Sequence, residues 1–223
     1  MKLPAIDTPS PNFNDRKRPV SLIVLHYTGM KDGPSALSRM RDKTAQVSAH
    51  YMIEEDGRLF RLVSEDKRAW HAGLSFWRGE RDVNSASIGI EIVNGGHDFG
   101  LPPFPQAQID TTIALVQALR AQYGLPPQAV IGHSDVAPGR KADPGETFPW
   151  ATLAAAGCAL ALPDSRAAGE PAALLKQIGY TLEPGLATVV EAFQRRWRPG
   201  RVDGKLDAET RALIERVASA AVA

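Results

Sequence analysis

Three side chains that can do chemistry lie close together between Gly132 and Gly145. They are the imidazole of His133, the ammonium of Lys141 and the carboxylate of Asp143. Two prolines lie in the same segment, and because each proline removes a backbone donor and fixes φ, we predict a rigid loop with no helix. A rigid loop with three different polar groups is a poor way to fill a hydrophobic core. We therefore interpret the segment as part of a functional site.

The spacing of His133 and Asp143 is compatible with a metal site. They are 10 residues apart, too far for the i, i+4 pairing of a helical zinc site, so the loop must fold back to bring both to one ion. Catalytic zinc usually takes three protein ligands and leaves a fourth position for water, so a third ligand should come from elsewhere. Lys141 would then lie beside the metal, where an ammonium can neutralise an oxyanion forming on a carbonyl.

This segment resembles the metal loop of a known enzyme family. The run from His133 to Asp143, with Lys141 between them, is similar to the zinc loop of the N-acetylmuramoyl-L-alanine amidases of the amidase-2 family. That family includes relatives of the phage lysozyme-type amidases and of the peptidoglycan recognition proteins. The resemblance implies that His133 and Asp143 bind one Zn²⁺ ion and that Lys141 assists catalysis. It also implies an α/β fold in which helices flank a mixed central sheet.

The third zinc ligand is expected at the end of an apolar run. Residues 20–25 are rich in β-branched side chains and lie between a proline and a glycine, which predicts a buried strand that His26 ends. A histidine in this position is by itself more often a hydrogen-bonded core residue than a ligand. The family pattern around His26-Tyr27-Thr28 implies instead that His26 binds the zinc.

Glu91 is the candidate general base. Strand alternation places Ile88, Ile90 and Ile92 on one face and Glu91 on the other, together with Gly89. A carboxylate among isoleucines loses its hydration unless it faces a partner or a polar cleft. A buried salt bridge is one explanation. The resemblance implies the other, because the catalytic glutamate of the family lies in the same Ile-Gly-Ile-Glu context.

Four residues are expected to bind substrate, largely by resemblance. Trp70 and Trp77 flank His71 in a glycine-containing segment, and because tryptophan prefers sites with one wet edge, we do not expect both in the core. The segment matches the family's Ala-Trp-His-Ala-Gly signature, which implies that Trp70 and His71 belong to the substrate groove. By resemblance, His50 is expected to line the pocket without binding metal. Asn84 is assigned to the same groove.

Composition excludes several classes of protein. The 223 residues are 43% hydrophobic and carry a net charge of +1, which gives no basic surface for nucleic acid. The single cysteine, Cys158, excludes an intramolecular disulfide and favours a buried apolar role. No apolar run is long enough to span a bilayer, and no secretory signal is visible at the start. We therefore expect a cytoplasmic protein, with the periplasm or cell wall, reached by a leaderless route, as the alternative.

Patterns along the chain divide it into four parts. Residues 1–19 are proline-rich and predict an extended surface arm, and residues 20–160 form the amidase domain. Within that domain, apolar spacings of three and four predict a helix over 106–123. Residues 161–170 have the composition of a linker. Residues 171–219 predict a small all-α module of two to three helices, which resembles the helical peptidoglycan-binding domain often appended to these amidases.

The expected function is hydrolysis of the amide between the lactyl group of N-acetylmuramic acid and the L-Ala of the stem peptide. The substrate would be peptidoglycan or a muropeptide, in cell-wall remodelling or recycling. Two alternatives stay open from the sequence: a recognition module that binds muropeptides without cutting them, and a zinc peptidase acting within the stem peptide. The sequence gives no information on oligomeric state.

Overall fold

A six-stranded mixed sheet forms the centre of the molecule, and the apolar strands predicted from the sequence are its core. The computed structural model describes residues 3–220. Its strands are β1 (Ile6–Asp7), β2 (Phe13–Asp15), β3 (Leu22–Tyr27), β4 (Tyr51–Ile53), β5 (Leu59–Arg61), β6 (Lys67–Ala69), β7 (Ser87–Ile92) and β8 (Val130–Gly132).

The strand order of the sheet is β1-β5-β4-β7-β3-β8. Strand β3 is parallel to both β7 and β8, whereas β4 and β5 form an antiparallel hairpin around Asp56-Gly57. The predicted mixed sheet is therefore confirmed. Strands β3 and β7 are buried along almost their whole length, as expected for parallel strands that are covered on both faces.

Helices flank the sheet and then continue to the end of the described chain. They are α1 (Gly33–Arg41), α2 (Val83–Ala86), α3 (Gln106–Tyr123), α4 (His133–Val136), α5 (Trp150–Ala155), α6 (Pro171–Ile178), α7 (Leu186–Trp197) and α8 (Ala208–Ser219). Helix α3 has the predicted bounds, and Gly124 ends it in the left-handed conformation, where glycine carries no Cβ penalty.

The prediction that the segment from Gly132 to Gly145 contains no helix is wrong at its start. Residues 133–136 form the single helical turn α4, and Pro138 and Pro144 lie after it. Proline disrupts a helix at its own position and at the residue before it, so one turn fits in front of Pro138.

The N-terminal arm is more integrated than the sequence suggests. Its first two residues lie outside the described part of the chain, but β1 pairs with β5 and β2 pairs with β6. Arg16 reaches inwards and donates to the carbonyls of Ser87 and Lys67. The arm therefore adds two short strands to the domain and ties the segment before β7 in place.

The three C-terminal helices share one hydrophobic core with the sheet. Phe193 of α7 belongs to the same cluster of buried side chains as Ile23 of β3, and the ring centroids of Trp77 and Tyr180 are 5.0 Å apart. Asp207 caps α8, and its side chain accepts from the Thr210 N–H. Across residues 3–220, no helix combines the length and the apolar character needed to cross a lipid bilayer.

Candidate active site

The candidate site lies where three parallel strands end. His26 of β3 is paired with Glu91 of β7, and Leu25 is paired with Gly132, the last residue of β8. His133 therefore follows β8 at the level of His26. In open α/β sheets, ligands bind outside the carboxyl ends of the strands, and here the register alone brings two imidazoles and a carboxylate to that edge.

Three ligand atoms converge there. His26 Nδ1 is 2.9 Å from both His133 Nδ1 and Asp143 Oδ2, and the remaining pair is 3.0 Å apart. The three residues are only 1%, 2% and 5% exposed, respectively. We call these three atoms the donor triangle. Sequence reasoning predicted that these residues meet, and the structure confirms that they do.

Hydrogen bonds behind the donor triangle fix which imidazole nitrogens carry protons. His133 Nε2 lies 3.0 Å from the carbonyl of Ala72, which can only accept, so Nε2 donates and Nδ1 keeps its lone pair. His26 Nε2 lies 3.0 Å from His71 Nδ1, and His71 Nε2 lies 3.2 Å from Ser87 Oγ. The Ser87 hydroxyl donates to the carbonyl of Val83, and this bond fixes the donor and acceptor of each hydrogen bond in the series.

The donor–acceptor order of these hydrogen bonds leaves His26 with a free lone pair on Nδ1. Because Ser87 uses its proton on a carbonyl, it accepts from His71 Nε2, and His71 Nδ1 then accepts from His26 Nε2. His26 Nδ1 is therefore unprotonated and faces the donor triangle. We call the series His26–His71–Ser87 the outer relay. Such partners commonly orient histidines that bind a metal.

The protonation states suit a cation. Burial, followed by the proximity of His133, lowers the pKa of His26 to about 4, so its imidazole is neutral at neutral pH. Burial acts to raise the pKa of Asp143, but His133 and His26 lower that pKa overall when they carry a proton that they can donate to the carboxylate. Two lone pairs and a carboxylate in contact repel one another unless a positive charge lies among them. The donor set therefore fits a divalent metal ion.

A cleft of about 440 Å³ opens in front of the donor triangle and is lined by both catalytic candidates, Glu91 and Lys141. Glu91 is partly exposed, and its Oε2 is buried without a hydrogen-bond partner among residues 3–220. Burial and the nearby Asp143 carboxylate raise the pKa of Glu91 well above its usual range, and Lys141 opposes them. A larger cavity of about 660 Å³ between β5 and α3 contains neither residue.

The structure separates the four expected substrate residues into two groups. Trp70 and His71 line the cleft, whereas His50 and Asn84 do not. His50 is 0% exposed and accepts at Nδ1 from the Gly89 N–H, so the prediction that it lines the pocket is wrong. Asn84 is also buried, and its side-chain oxygen accepts from the backbone N–H groups of His71 and Ala72. Both residues support the site from behind.

The prediction that Trp70 and Trp77 would not both be core residues is confirmed, because Trp70 lines the cleft. Trp77 does lie in the core. It is 5% exposed and packs edge-on against Tyr180, so it belongs to the core shared with the C-terminal helices. The amphipathic character of tryptophan could not reveal a partner more than 100 residues away in sequence.

Sequence reasoning missed the outer relay, although one signal for it exists. Gly89 lies in an apolar strand, and a Cβ at that position would lie 2.4 Å from the His71 ring. Glycine inside a strand often marks the close approach of another group. Arg140 was also missed: its guanidinium donates to the carbonyls of Ala72 and Leu74 and so holds the loop that supports His133.

The donor triangle and the cleft in front of it form a site that could hold a divalent metal ion, and such sites suit hydrolysis. A family model described as N-acetylmuramoyl-L-alanine amidase (Amidase_2) matches residues 16–146, which include the donor triangle, Glu91 and Lys141. The chain belongs to this family. It is an N-acetylmuramoyl-L-alanine amidase, which hydrolyses the amide between N-acetylmuramic acid and L-alanine.

Two of the relatives match most of the chain, and a third matches about half of it. The N-acetylmuramoyl-L-alanine amidase AmiD of Escherichia coli K12 is 37% identical over 88% of this chain and 81% of its own length. The crystal structure of AmpDh3 from Pseudomonas aeruginosa is 32% identical with a TM-score of 0.83, and the match covers 100% of this chain and 99% of that one. The 1,6-anhydro-N-acetylmuramyl-L-alanine amidase AmpD of Enterobacter cloacae is 42% identical over 47% of this chain and 54% of its own length.

Proposed function

We propose that this amidase works with one zinc ion held by His26, His133 and Asp143, and that its substrate is a muropeptide or peptidoglycan strand. The donor triangle carries the proposal, since two neutral imidazoles and one carboxylate are a ligand set of catalytic zinc. Solved relatives support the substrate class. The AmiD structure from E. coli contains anhydro-N-acetylmuramic acid-L-Ala-D-gamma-Glu-L-Lys, and an AmpDh3 structure from P. aeruginosa contains an anhydromuramic pentapeptide.

Glu91 and Lys141 divide the remaining chemistry. A zinc ion in such a site lowers the pKa of a water molecule to about 7 and polarises a carbonyl. Glu91 accepts the proton of the attacking water and delivers it to the departing amine of L-Ala. Lys141, exposed in the same cleft, stabilises the oxyanion that forms on the lactyl carbonyl. Trp70 offers an apolar surface for the sugar or the stem peptide.

The products of the reaction test this proposal. Incubation of the zinc-loaded protein with an anhydro-muropeptide should yield the free anhydro-sugar and an intact peptide that begins with L-Ala. Mass analysis distinguishes that cut from one within the stem peptide. Release of a shortened peptide that stays attached to the sugar would contradict the proposed bond.

Lys141→Ala is expected to raise the barrier by about 3 kcal/mol, the scale of a lost oxyanion-hole donor. That change corresponds to a fall in kcat of about a hundredfold. The measurement is steady-state turnover of a muropeptide, with bound zinc quantified in the same sample. Lys176→Ala, which removes an exposed lysine of α6, is the matched control. Turnover within twofold of the parent, with zinc retained, would remove Lys141 from the mechanism.

His71→Phe is expected to weaken zinc binding about 10- to 100-fold, the usual effect of losing an outer hydrogen-bond partner of a metal ligand. The substitution keeps a ring in place but removes both nitrogens of the outer relay, so His26 loses the acceptor that fixes its tautomer. Zinc affinity is measured by competition with a chromogenic chelator. Tyr123→Phe, which removes a hydrogen bond to Glu65 outside the relay, is the control. Equal affinities in the parent and His71→Phe would show that the relay does not orient His26.

We further propose that the C-terminal helices contact peptidoglycan. Residues 175–180, 192–197 and 202–207 resemble the helical peptidoglycan-binding domain, and this resemblance is the support for the proposal. Co-sedimentation with purified sacculi tests it. Charge-reversal of exposed α8 residues should reduce co-sedimentation without changing the turnover of a soluble muropeptide.

A further inference from the structure

The C-terminal helices contact the segment that carries two of the three metal ligands. We call residues 132–145 the metal loop. Asp135, two residues after His133, lies in the loop and is 1% exposed. Its Oδ2 accepts from the Gly132 N–H at 2.9 Å, so the side chain closes the turn that presents His133. Asp135 thereby links the backbone next to His133 to the residues that hydrogen-bond its carboxylate.

Two C-terminal residues hold that carboxylate. The hydroxyl of Tyr180, directly after α6, donates to Asp135 Oδ1, and Nη1 of Arg196 lies 3.3 Å from Oδ2. Tyr180 is itself buried, with its ring against Trp77. A carboxylate buried this deeply depends on its donors, because loss of one leaves the charge incompletely compensated.

Two more contacts follow the metal loop towards its end. Gly139 lies so close to α7 that a Cβ there would be 2.6 Å from Thr188 Cγ2. Just beyond the loop, Glu146 Oε1 accepts from Arg195 Nε at 2.7 Å. The loop is therefore touched by the C-terminal helices near both of its ends and at its middle.

These contacts are not shared by every relative of the chain. The family model ends at residue 146, before α6 begins. A solved AmpD structure matches 68% of this chain while 93% of its own length is covered, so that relative has no room for the full set of helices. The contacts between the C-terminal helices and the metal loop are therefore confined to family members that have these helices.

We propose that Tyr180, with Arg196 and Arg195, holds the metal loop closed and so slows the loss of the metal ion. Tyr180 is a positioning residue: it acts on His133 through Asp135 and the Gly132 backbone, and it does not line the cleft. The C-terminal helices are in this way a structural part of the metal site, in addition to their proposed contact with peptidoglycan. The inference rests on the zinc site of the proposed function.

The experiment compares two Tyr→Phe variants of the full-length, zinc-loaded protein. Tyr180→Phe removes only the hydroxyl that reaches Asp135. Tyr123→Phe is its matched control, because that hydroxyl also donates to a carboxylate, Glu65, but far from the metal loop. The rate of zinc release to an excess of chromogenic chelator is measured at a temperature well below the unfolding transition of each variant. We expect Tyr180→Phe to release zinc about tenfold faster than the parent and Tyr123→Phe to release it at the parent rate.

A second variant tests the far end of the metal loop. Arg195→Gln removes the contact with Glu146 at a partly exposed position, and we expect release about threefold faster than in the parent. Parent-like release by Tyr180→Phe overturns the proposal, as does equal acceleration by Tyr180→Phe and Tyr123→Phe, which would report general loosening of the fold. A parent protein that binds no zinc would contradict the proposed function instead, so the two failures are distinguishable.

Discussion

Glu91→Gln is expected to lower kcat about a thousandfold while leaving zinc bound, because general acid–base catalysis contributes roughly 10²- to 10⁴-fold. The amide of glutamine keeps the size of the side chain but cannot accept a proton. Burial raises the pKa of Glu91, so kcat/KM of the parent should fall as the pH decreases through that raised pKa and the carboxylate becomes protonated. The variant should lack this limb of the pH profile.

The control for that result is Glu55→Gln, an exposed position in the turn between β4 and β5. It should match the parent in both kcat and pH profile. A Glu91→Gln enzyme that retains more than a tenth of parental turnover with an unchanged acidic limb would assign the proton transfer to another group.

Removal of the metal is expected to lower the melting temperature of the protein by about 10 °C. An ion present at a thousandfold excess over its Kd stabilises the folded state by about 4 kcal/mol, and each kcal/mol shifts Tm by roughly 2–4 °C in a chain of this size. The physical source is the donor triangle, where two lone pairs and a carboxylate lie 2.9–3.0 Å apart. Differential scanning calorimetry before and after chelation measures the shift.

Zinc should restore both Tm and activity to the chelated protein, whereas Mg²⁺ should restore neither, because it prefers six oxygen ligands. His133→Ala provides the matched variant: its Tm should be insensitive to chelator and its activity absent. An unchanged Tm in the chelated parent, with metal analysis showing that the ion has gone, would mean that the donor triangle is stable on its own.

Much of the fold follows from patterns that are local in sequence. Helix α3 has strict apolar spacing and a glycine stop, and its bounds were predicted correctly. The alternation around Glu91 was also correct, because a period-two pattern acts over a few residues. The donor triangle required more, since His133 and Asp143 lie 107 and 117 residues after His26. There, resemblance to a family supplied what spacing alone could not.

The parts that sequence reasoning missed depend on contacts made across the fold. His50 and Asn84 carry polar groups that suit a cleft, but the structure uses them to satisfy buried backbone N–H groups of Gly89 and His71. The N-terminal arm has no apolar period, yet it forms strands because β5 and β6 offer it partners. The sequence shows which hydrogen bonds a side chain can form, and only the tertiary structure shows which partner it bonds to.

The pairing of His26 with Glu91 on neighbouring strands has a consequence for altering this enzyme. The backbone pairing of β3 with β7 sets the spacing between His26, the proposed zinc ligand, and Glu91, the proposed proton acceptor, so mutations at the edge of the cleft leave that spacing unchanged. Helix α1, which contributes Arg39 to the cleft wall, can be varied separately. Mutant libraries intended to change the stem-peptide preference should therefore vary α1 around Arg39, where substrate recognition can change while Glu91 and the donor triangle stay the same.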